Sequence, residues 1–339
     1  YEMAQIVAKA MAKGANVDKL AAEFADELDN LGVRVANLEK KADNVKVTGE
    51  LRYKYMSKKD DANDGQSFEN DLRSRIWVTG QINDDWSYTG MIENTQDFYG
   101  ESANKGDEDT SFARAYVEGK IGGLNVTAGR YNAFLANGNI YDDKVDGAEV
   151  SYGDKVKVTG FAGKATEVDG GNYAGGELAG AFGDLNLAAG YVNYKDLAKD
   201  SIGKGLDNAI WYVGADYTMG DVNLSGMYLK GDMSYNDVDE KVLDDDGWTV
   251  GLAYKGAEAT EAGSWGLFAN YYDLGGQTYI AHTTDANTFD GVGFKGYGVG
   301  ANYTFAKNIV GTVAYYDTEN KLNSKVDDQR VWADLTFTF

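Results

Sequence analysis

Residues 331–339 read Val331-Trp332-Ala333-Asp334-Leu335-Thr336-Phe337-Thr338-Phe339. Val331, Ala333, Leu335, Phe337 and Phe339 share one parity, and Trp332, Asp334, Thr336 and Thr338 share the other. A period of two with one apolar side is the mark of a β-strand that faces two different environments. The same alternation opens the region at its other end. There Val45, Val47, Gly49, Leu51, Tyr53 and Tyr55 interleave with Lys46, Thr48, Glu50, Arg52 and Lys54. It recurs where Leu72, Ile76, Val78, Gly80 and Ile82 interleave with Arg73, Arg75, Trp77, Thr79 and Gln81.

The breaks between such runs come in two kinds that alternate. Short ones are Asn83-Asp84-Asp85, Gly122-Gly123, Gly153-Asp154, Gly183-Asp184, Gly220-Asp221 and Ala306-Lys307-Asn308, and the two-residue Gly pairs suit tight hairpins. Long, acidic ones fall near residues 57–67, 97–109, 195–207, 231–247, 273–293 and 317–328. Counting runs between breaks predicts sixteen strands, beginning near Val45, Glu69, Trp86, Thr110, Leu124, Val145, Lys155, Ala174, Leu185, Asn208, Val222, Trp248, Ser264, Phe294, Ile309 and Gln329. The connection at 255–263 fits the rhythm least well, being long for a short turn.

Composition narrows the environment. The 339 residues carry 32 basic and 54 acidic side chains, a net charge of −22, with 43 Gly, 24 Tyr, one His, no Pro and no Cys. Without cysteine there is neither a disulfide framework nor a thiolate metal site, and so acidic a chain has no electrostatic footprint for nucleic acid. A mean hydropathy of −0.45 and no apolar run near eighteen residues exclude a transmembrane helix. Neither excludes a transmembrane barrel, whose strands are apolar on one face only. A soluble sandwich also alternates, but it has no obligatory long-and-short loop rhythm. Tyr-rich strand ends, full ladders without Pro, and a final strand that leaves no closing segment favour a barrel closed in a membrane. The fold class expected is therefore an all-β transmembrane barrel of about sixteen antiparallel strands over residues 45–339.

Two helical zones precede it. In residues 1–15, Met3, Ile6, Val7, Ala10 and Met11 recur at helical spacing before Gly14, and the sequence opens inside this helix, so its natural start is expected upstream. In residues 16–44, Ala21, Leu28, Val35 and Ala42 form one seam of a heptad, and Phe24, Leu31, Leu38 and Val45 the other. No second helical segment in the chain is available to receive that seam, so a self-associating coiled-coil stalk is expected, with Ala21, Phe24, Leu28, Leu31, Val35 and Leu38 at its core.

Two stretches carry a family resemblance. The alternating Phe-terminated 331–339 resembles the C-terminal signature of bacterial outer-membrane barrels. Tyr1-Glu2-Met3-Ala4-Gln5-Ile6-Val7 resembles the last helix of an S-layer-homology (SLH) domain. In the order helix, coiled coil, barrel, the chain is similar to the SLH-domain porins of diderm Firmicutes, the OmpM type of the Negativicutes. The resemblance implies a homotrimeric general-diffusion porin of the bacterial outer membrane, in contact with its lipid, with its N-terminal region in the periplasm. It also implies a tether to peptidoglycan or another cell-wall polymer, through SLH residues upstream of Tyr1. The alternative is a mainly structural tether with the barrel as its anchor.

The candidate site follows from the arginines. Of seven, Arg34 lies in the heptad, and Arg52, Arg73, Arg75, Arg114, Arg130 and Arg330 lie on strands that become neighbours once the last strand pairs with the first. Arg52, Arg73, Arg75, Arg114 and Arg330 have inward parity. Arg130 has the parity of Leu124, Val126 and Ala128 and needs a bulge or a strand end to reach the lumen. Guanidiniums on the lipid face would each cost about 2–4 kcal/mol near the midplane, so the lumen is their expected place. Residues 131–144 follow strand five and carry Tyr131, Phe134, Leu135, Ile140 and Tyr141, anchors that an exposed loop does not need. In trimeric porins the loop at this position folds inward. That carry-over makes Asp142, Asp143 and Asp146 the expected acidic side of a constriction, opposite the arginines. No enzyme is expected: the one histidine, His282, reads as a solvated loop residue. No cofactor is expected either, and the acidic clusters Asp107-Glu108-Asp109 and Asp244-Asp245-Asp246 read as solvated surface holding Ca²⁺ only adventitiously.

Overall fold

The computed structural model describes residues 44–60, 65–98, 110–166, 171–197, 206–234 and 243–339, together with Ile6 and Lys9, which have helical backbone. The rest of the helix at 1–15, and the stalk positions Ala21, Phe24, Leu28, Leu31, Val35 and Leu38, lie outside the described residues.

The alternating runs form β1 (Val45–Asp60), β2 (Gly65–Gln81), β3 (Trp86–Asp97), β4 (Ser111–Ile121), β5 (Leu124–Leu135), β6 (Tyr141–Tyr152), β7 (Val156–Ala165) and β8 (Asn172–Phe182). They continue as β9 (Leu185–Lys195), β10 (Asp207–Met219), β11 (Val222–Ser234), β12 (Asp246–Lys255), β13 (Trp265–Gly275), β14 (Gly293–Ala306), β15 (Ile309–Asn320) and β16 (Asp327–Thr338). Each strand pairs antiparallel with its sequence neighbours, and β16 pairs with β1, so the sixteen strands close a barrel without an edge. Closure reaches the last residue: Gly49 N donates to Phe339 O at 2.7 Å and Phe339 N to Gly49 O at 3.0 Å. The alternating C-terminal run thus completes the ring.

Sequence parity places the faces as expected. Val213, Leu224, Val250, Leu252, Leu267 and Val299 are exposed on the outside, between two sets of outward rings. Toward the long connections these are the pairs Trp211–Tyr228 (5.5 Å between centroids), Trp248–Tyr271 (5.1 Å) and Tyr297–Tyr315 (6.3 Å). Toward the short turns they are Tyr254–Trp265 (5.7 Å) and Tyr303–Phe305 (5.1 Å). Rings with one apolar and one wet end settle at the two borders of a hydrocarbon slab.

Most strand starts match the sequence reading, and two differ by four residues. β2 begins at Gly65 rather than Glu69, and β6 at Tyr141 rather than Val145. In both cases the ladder continues past the apolar alternation, because a backbone hydrogen bond does not need an apolar side chain. The irregular connection after β12 is a built cap. Ser264 Oγ accepts from Glu258 N at 2.7 Å and donates to Glu261 O at 2.7 Å, while Asn302 Oδ1 accepts from Ala257 N at 2.9 Å.

Two glycines test how closely the wall is packed. A Cβ at Gly175 of β8 would fall 2.1 Å from the carbonyl oxygen of Tyr191 and 2.9 Å from Val192 Cα, while one at Gly160 of β7 would meet nothing within 4 Å. Gly175→Ala is expected to lower barrel stability by about 1–3 kcal/mol, the usual cost of overpacking. Gly160→Ala should stay within about 0.5 kcal/mol of the parent. Urea unfolding in detergent micelles compares the two.

Candidate functional site: a strap across the lumen and a basic wall

The hairpin β5–β6 leaves the barrel wall. Pairing of β5 with β4 ends at Arg130↔Ala115 and pairing of β6 with β7 at Val145↔Ala165, yet β5 and β6 stay paired up to Leu135↔Tyr141. The segment expected as a loop at 131–144 is therefore mostly an extension of two strands, turning through residues 136–140 with positive φ at Ala136, Asn137 and Gly138. Its anchors behave as their composition suggests. Tyr131, Leu135, Ile140 and Tyr141 are buried in one cluster with Phe161, Tyr173, Tyr194, Ile210, Met227 and Leu229 of the β7–β11 wall. Phe134 is the exception, at 55% exposed. Each fully buried apolar side chain contributes about 1.5–3 kcal/mol, so this face holds the hairpin against one half of the lumen.

The tip meets a second segment from the opposite wall. β5 and β13 are eight strands apart in a ring of sixteen, and the connection between β13 and β14 also folds inward. Asp142 N donates to Ala281 O at 2.8 Å, Ile280 N to Ile140 O at 2.9 Å and Thr283 N to Gly138 O at 2.9 Å. A parallel bridge joins Tyr141 to Ala281. Beyond Thr283 the connection reaches the β16–β1 wall, where Ala286 packs with Met56, Tyr316 and Trp332, and Arg330 Nη1 donates to Asp285 O at 3.3 Å. Together the two segments form a strap spanning the lumen.

His282 lies at the junction, and its place corrects its reading as a solvated loop residue. Its ring is enclosed by Tyr272, Tyr279 and Phe294, with centroids 5.5, 6.2 and 5.7 Å away. Thr284 N donates to Nδ1 at 3.0 Å, so the proton sits on Nε2, which bonds Asn139 Oδ1 at 3.1 Å. Burial lowers its pKa to about 3, against a smaller opposing pull from Asp142. Neither ring nitrogen holds a hydroxyl in the way a catalytic base holds a nucleophile.

A polar, basic part of the lumen wall lies on the β16–β1–β4 side. Arg52, Arg73, Arg75 and Arg114 face it from β1, β2 and β4. Arg73 Nη2 bonds Glu50 Oε1 at 2.7 Å and Arg75 bonds Glu93. Arg114 Nη2 donates to Asn132 Oδ1 at 2.9 Å, and Asn132 Nδ2 donates to Asp142 Oδ1 at 2.6 Å. Thr283 Oγ1 donates to the other Asp142 oxygen at 2.6 Å. This chain of bonds runs from the basic wall to the strap. Two recesses open beside the hairpin, one of about 480 Å³ reaching Asn139, Met227 and His282, the other of about 360 Å³ reaching Arg114, Asn132 and Glu149.

The other expected residues fall elsewhere. Arg330 is inward but engaged by Asp328 at 2.6 Å beneath the strap. Asp143 accepts from the Lys144 amide at 2.6 Å. Arg130 and Asp146 keep the parity of the outward Ala128 and Ala148, and pair with each other through two bonds of 2.6 and 2.7 Å. The bend of the hairpin begins just beyond them, which leaves Arg130 outside. Sequence reasoning missed Asp285, which sits in the β13–β14 connection. Burial raises its pKa and Arg52 is the largest opposing influence, so its carboxyl lies within electrostatic reach of the wall. The apolar anchors Tyr279 and Ile280 next to His282 were the signal that this connection is not external.

Two outcomes follow for the strap. Gly138 has φ +76°, and a Cβ there would lie 2.6 Å from Thr283 Cβ. Gly138→Val is therefore expected to part the two segments and raise open-channel current noise in a barrel that still shows the folded mobility on gels. His282 is neutral in place, with a folded pKa below its free value, so its contribution is complete above pH 6.5 and is lost as pH falls toward about 3. An imidazole NMR titration should show no protonation between pH 7 and 5.

No protein-family model matches the chain, and no curated protein matches it. Among solved structures it resembles the trimer form of OmpT, an outer membrane protein of Vibrio cholerae, at 15% identity and a TM-score of 0.60, covering 88% of this chain and 100% of the other. It likewise resembles an anion-selective porin from Comamonas acidovorans, at 13% identity and a TM-score of 0.60, covering 87% and 99%. A mutant of the Rh. blastica porin gives 16% identity and a TM-score of 0.55, covering 87% and 100%. At these identities the likeness is one of fold: the described strands share the closed sixteen-stranded barrel of those structures.

Proposed function

We propose that this chain is a general-diffusion porin that passes ions and small hydrophilic solutes across the outer membrane. The observation that carries this reading is the polar half of the lumen, walled by Arg52, Arg73, Arg75 and Arg114 and faced by Asp142 on the strap. Opposed fixed charges across a narrow aqueous gap set up a transverse field that orders water and dipolar solutes and disfavours apolar ones. The acidic side of the constriction in this proposal is Asp142 with Asp285; Arg130 and Asp146 are left out because of their outward parity. The net charge of −22 enriches cations at the mouth, and a Debye length of about 8–10 Å confines that effect at physiological salt. Mild cation preference at low salt, fading as salt rises, is the expected selectivity.

Planar-bilayer recording tests the reading. The parent should give stable open channels, and replacing Asp142 and Asp285 together by Asn should shift the reversal potential toward anions. A silent barrel would sink the porin reading, and an unmoved reversal potential would sink the assignment of the constriction.

The proposal extends to assembly. The heptad at residues 21–45 runs directly into β1, which suits a homotrimer standing on one periplasmic stalk, with the SLH-like segment at 1–15 leading to a cell-wall polymer. A tether with the barrel as mere anchor remains the second reading, favoured by the same N-terminal pattern. Crosslinking in mild detergent should give trimers, and polar replacements at Leu28, Leu31 and Val35 should reduce them. Monomers alone in the parent would defeat the trimer.

A further inference from the structure

The wall away from the arginines carries a polar row on five neighbouring strands. Direct cross-strand partners run Asn186 of β9, Asp216 of β10, Ser225 of β11, Gly251 of β12 and Asn270 of β13. All five line the recess of about 480 Å³ on the short-turn side of the strap. The row has two ends. Beyond Asn186 comes Ala181, and beyond Asn270 comes Gly298, where Tyr316 Cδ1 lies 2.6 Å from the place a Cβ would take.

Gly251 lies within this row. Its φ is not in the left-handed region, so turn geometry does not call for glycine here. A glycine inside a strand otherwise marks a close approach, by another backbone or by a ligand. Ser225 Oγ and Asn270 Oδ1 close over it, 2.6 and 2.8 Å from the position a Cβ would occupy. Two oxygens from different strands thus converge on one point of the lumen surface. Asn270 is also in hydrogen-bond contact with Tyr272. Next along the row, both Asp216 oxygens accept from Asn223 Nδ2 at 3.0 Å, an amide in the place of a cation. The strap roofs the recess: Asn139 Nδ2 lies 3.7 Å from Met227 Sδ, and the His282 ring stands 5.5 Å from that of Tyr272. The other charges around it, Asp154, Lys155, Lys157 and Glu177, are two of each sign.

We propose that Asp216, Ser225 and Asn270 form a weak binding site for neutral polyhydroxylated solutes, the class of monosaccharides and polyols. Such a solute presents adjacent hydroxyls, each both donor and acceptor. They match a row of carboxylate, hydroxyl and amide set on strands about 4.8 Å apart. The volume of the recess falls in the range of small-molecule sites, about 300–1,000 Å³. A simple ion has no set of hydroxyls to offer, and the balanced charges around the recess give it little net field. Each bond contributes only its small net worth in a wet site, so the solute is held briefly and released. This inference rests on the lumen being a conducting pore and names a solute class for it.

The probe is glucose, with a polyethylene glycol of matched size as the control that enters without binding. On the intact barrel in a planar bilayer, glucose is expected to lower conductance along a saturating curve, and the glycol along a straight line. Ser225→Ala and Asn270→Ala should each raise the half-saturating concentration about fivefold, the net worth of one hydrogen bond. Gly251→Val, which fills the point of convergence, should abolish saturation; if it fails to fold, the two alanine variants carry the test. Ser87→Ala, on β3 in the facing wall, should leave the curve unchanged. Saturation-transfer NMR in a detergent without a sugar headgroup reads binding separately from conduction. Open channels with a linear glucose curve, or with equal half-saturation in the parent and both alanine variants, overturn the site and leave the porin reading intact. A barrel silent in the bilayer that still binds glucose by NMR overturns the porin reading and keeps the site. A silent barrel without saturation transfer overturns both.

Discussion

Hydrocarbon offers no hydrogen-bond partner, so every peptide group at membrane depth must find one within the protein. This constraint accounts for the ring of antiparallel ladders, for the pairing of the terminal Phe339 with Gly49, and for the absence of proline from the strands. The β5–β6 hairpin, which turns away from the wall into the lumen, is paired in another way. When β5 and β6 leave their outer neighbours, the amides and carbonyls at the hairpin tip lose the ladder that would have held them. Residues 280–283 of the β13–β14 connection replace it, through bonds to Ile140, Asp142 and Gly138. The strap is thus held by the same backbone chemistry as the barrel, beside the apolar anchors that seat the hairpin on the wall.

The strap makes the lumen asymmetric, and the chemistry of the lumen follows from that. Its apolar face lies on the rings of β7–β11. Its polar face, carrying Asn132, Asp142 and Thr283, looks toward the arginines. Arg114 reaches Asp142 through Asn132 beside an apolar, low-dielectric plug, where charges interact more strongly than in open water. The enclosure of His282 belongs to the same arrangement. A neutral imidazole bonded to Asn139 adds a second side-chain bond at the point where the two segments touch, beside that of Thr283 to Asp142.

Much of the wall was legible in the sequence, since strand alternation is a local property. Residues 45, 86, 124, 185, 222 and 309 were read as strand starts and are so in the structure. The inward parity of Arg52, Arg73, Arg75 and Arg114 needs only a count by twos from an apolar neighbour. Arg130 was expected to reach the lumen through a bulge or the strand's end; no register shift separates it from Val126 on the β4 ladder, and it stays outside. The apolar anchors at 131–141 announced a buried hairpin, though not that it would stay in strand conformation.

What the sequence determined by itself was the barrel: its strand number, its two faces and its basic arc, because the side-chain period of a strand is written in adjacent residues. What only the tertiary structure decided was the strap. Asp142 and Thr283 are 141 residues apart and meet only because their hairpins stand on opposite sides of a ring of sixteen. No local pattern encodes a contact across a lumen. Asp285 and His282 take their roles from ring closure, which sets which connections face each other and how far each must reach.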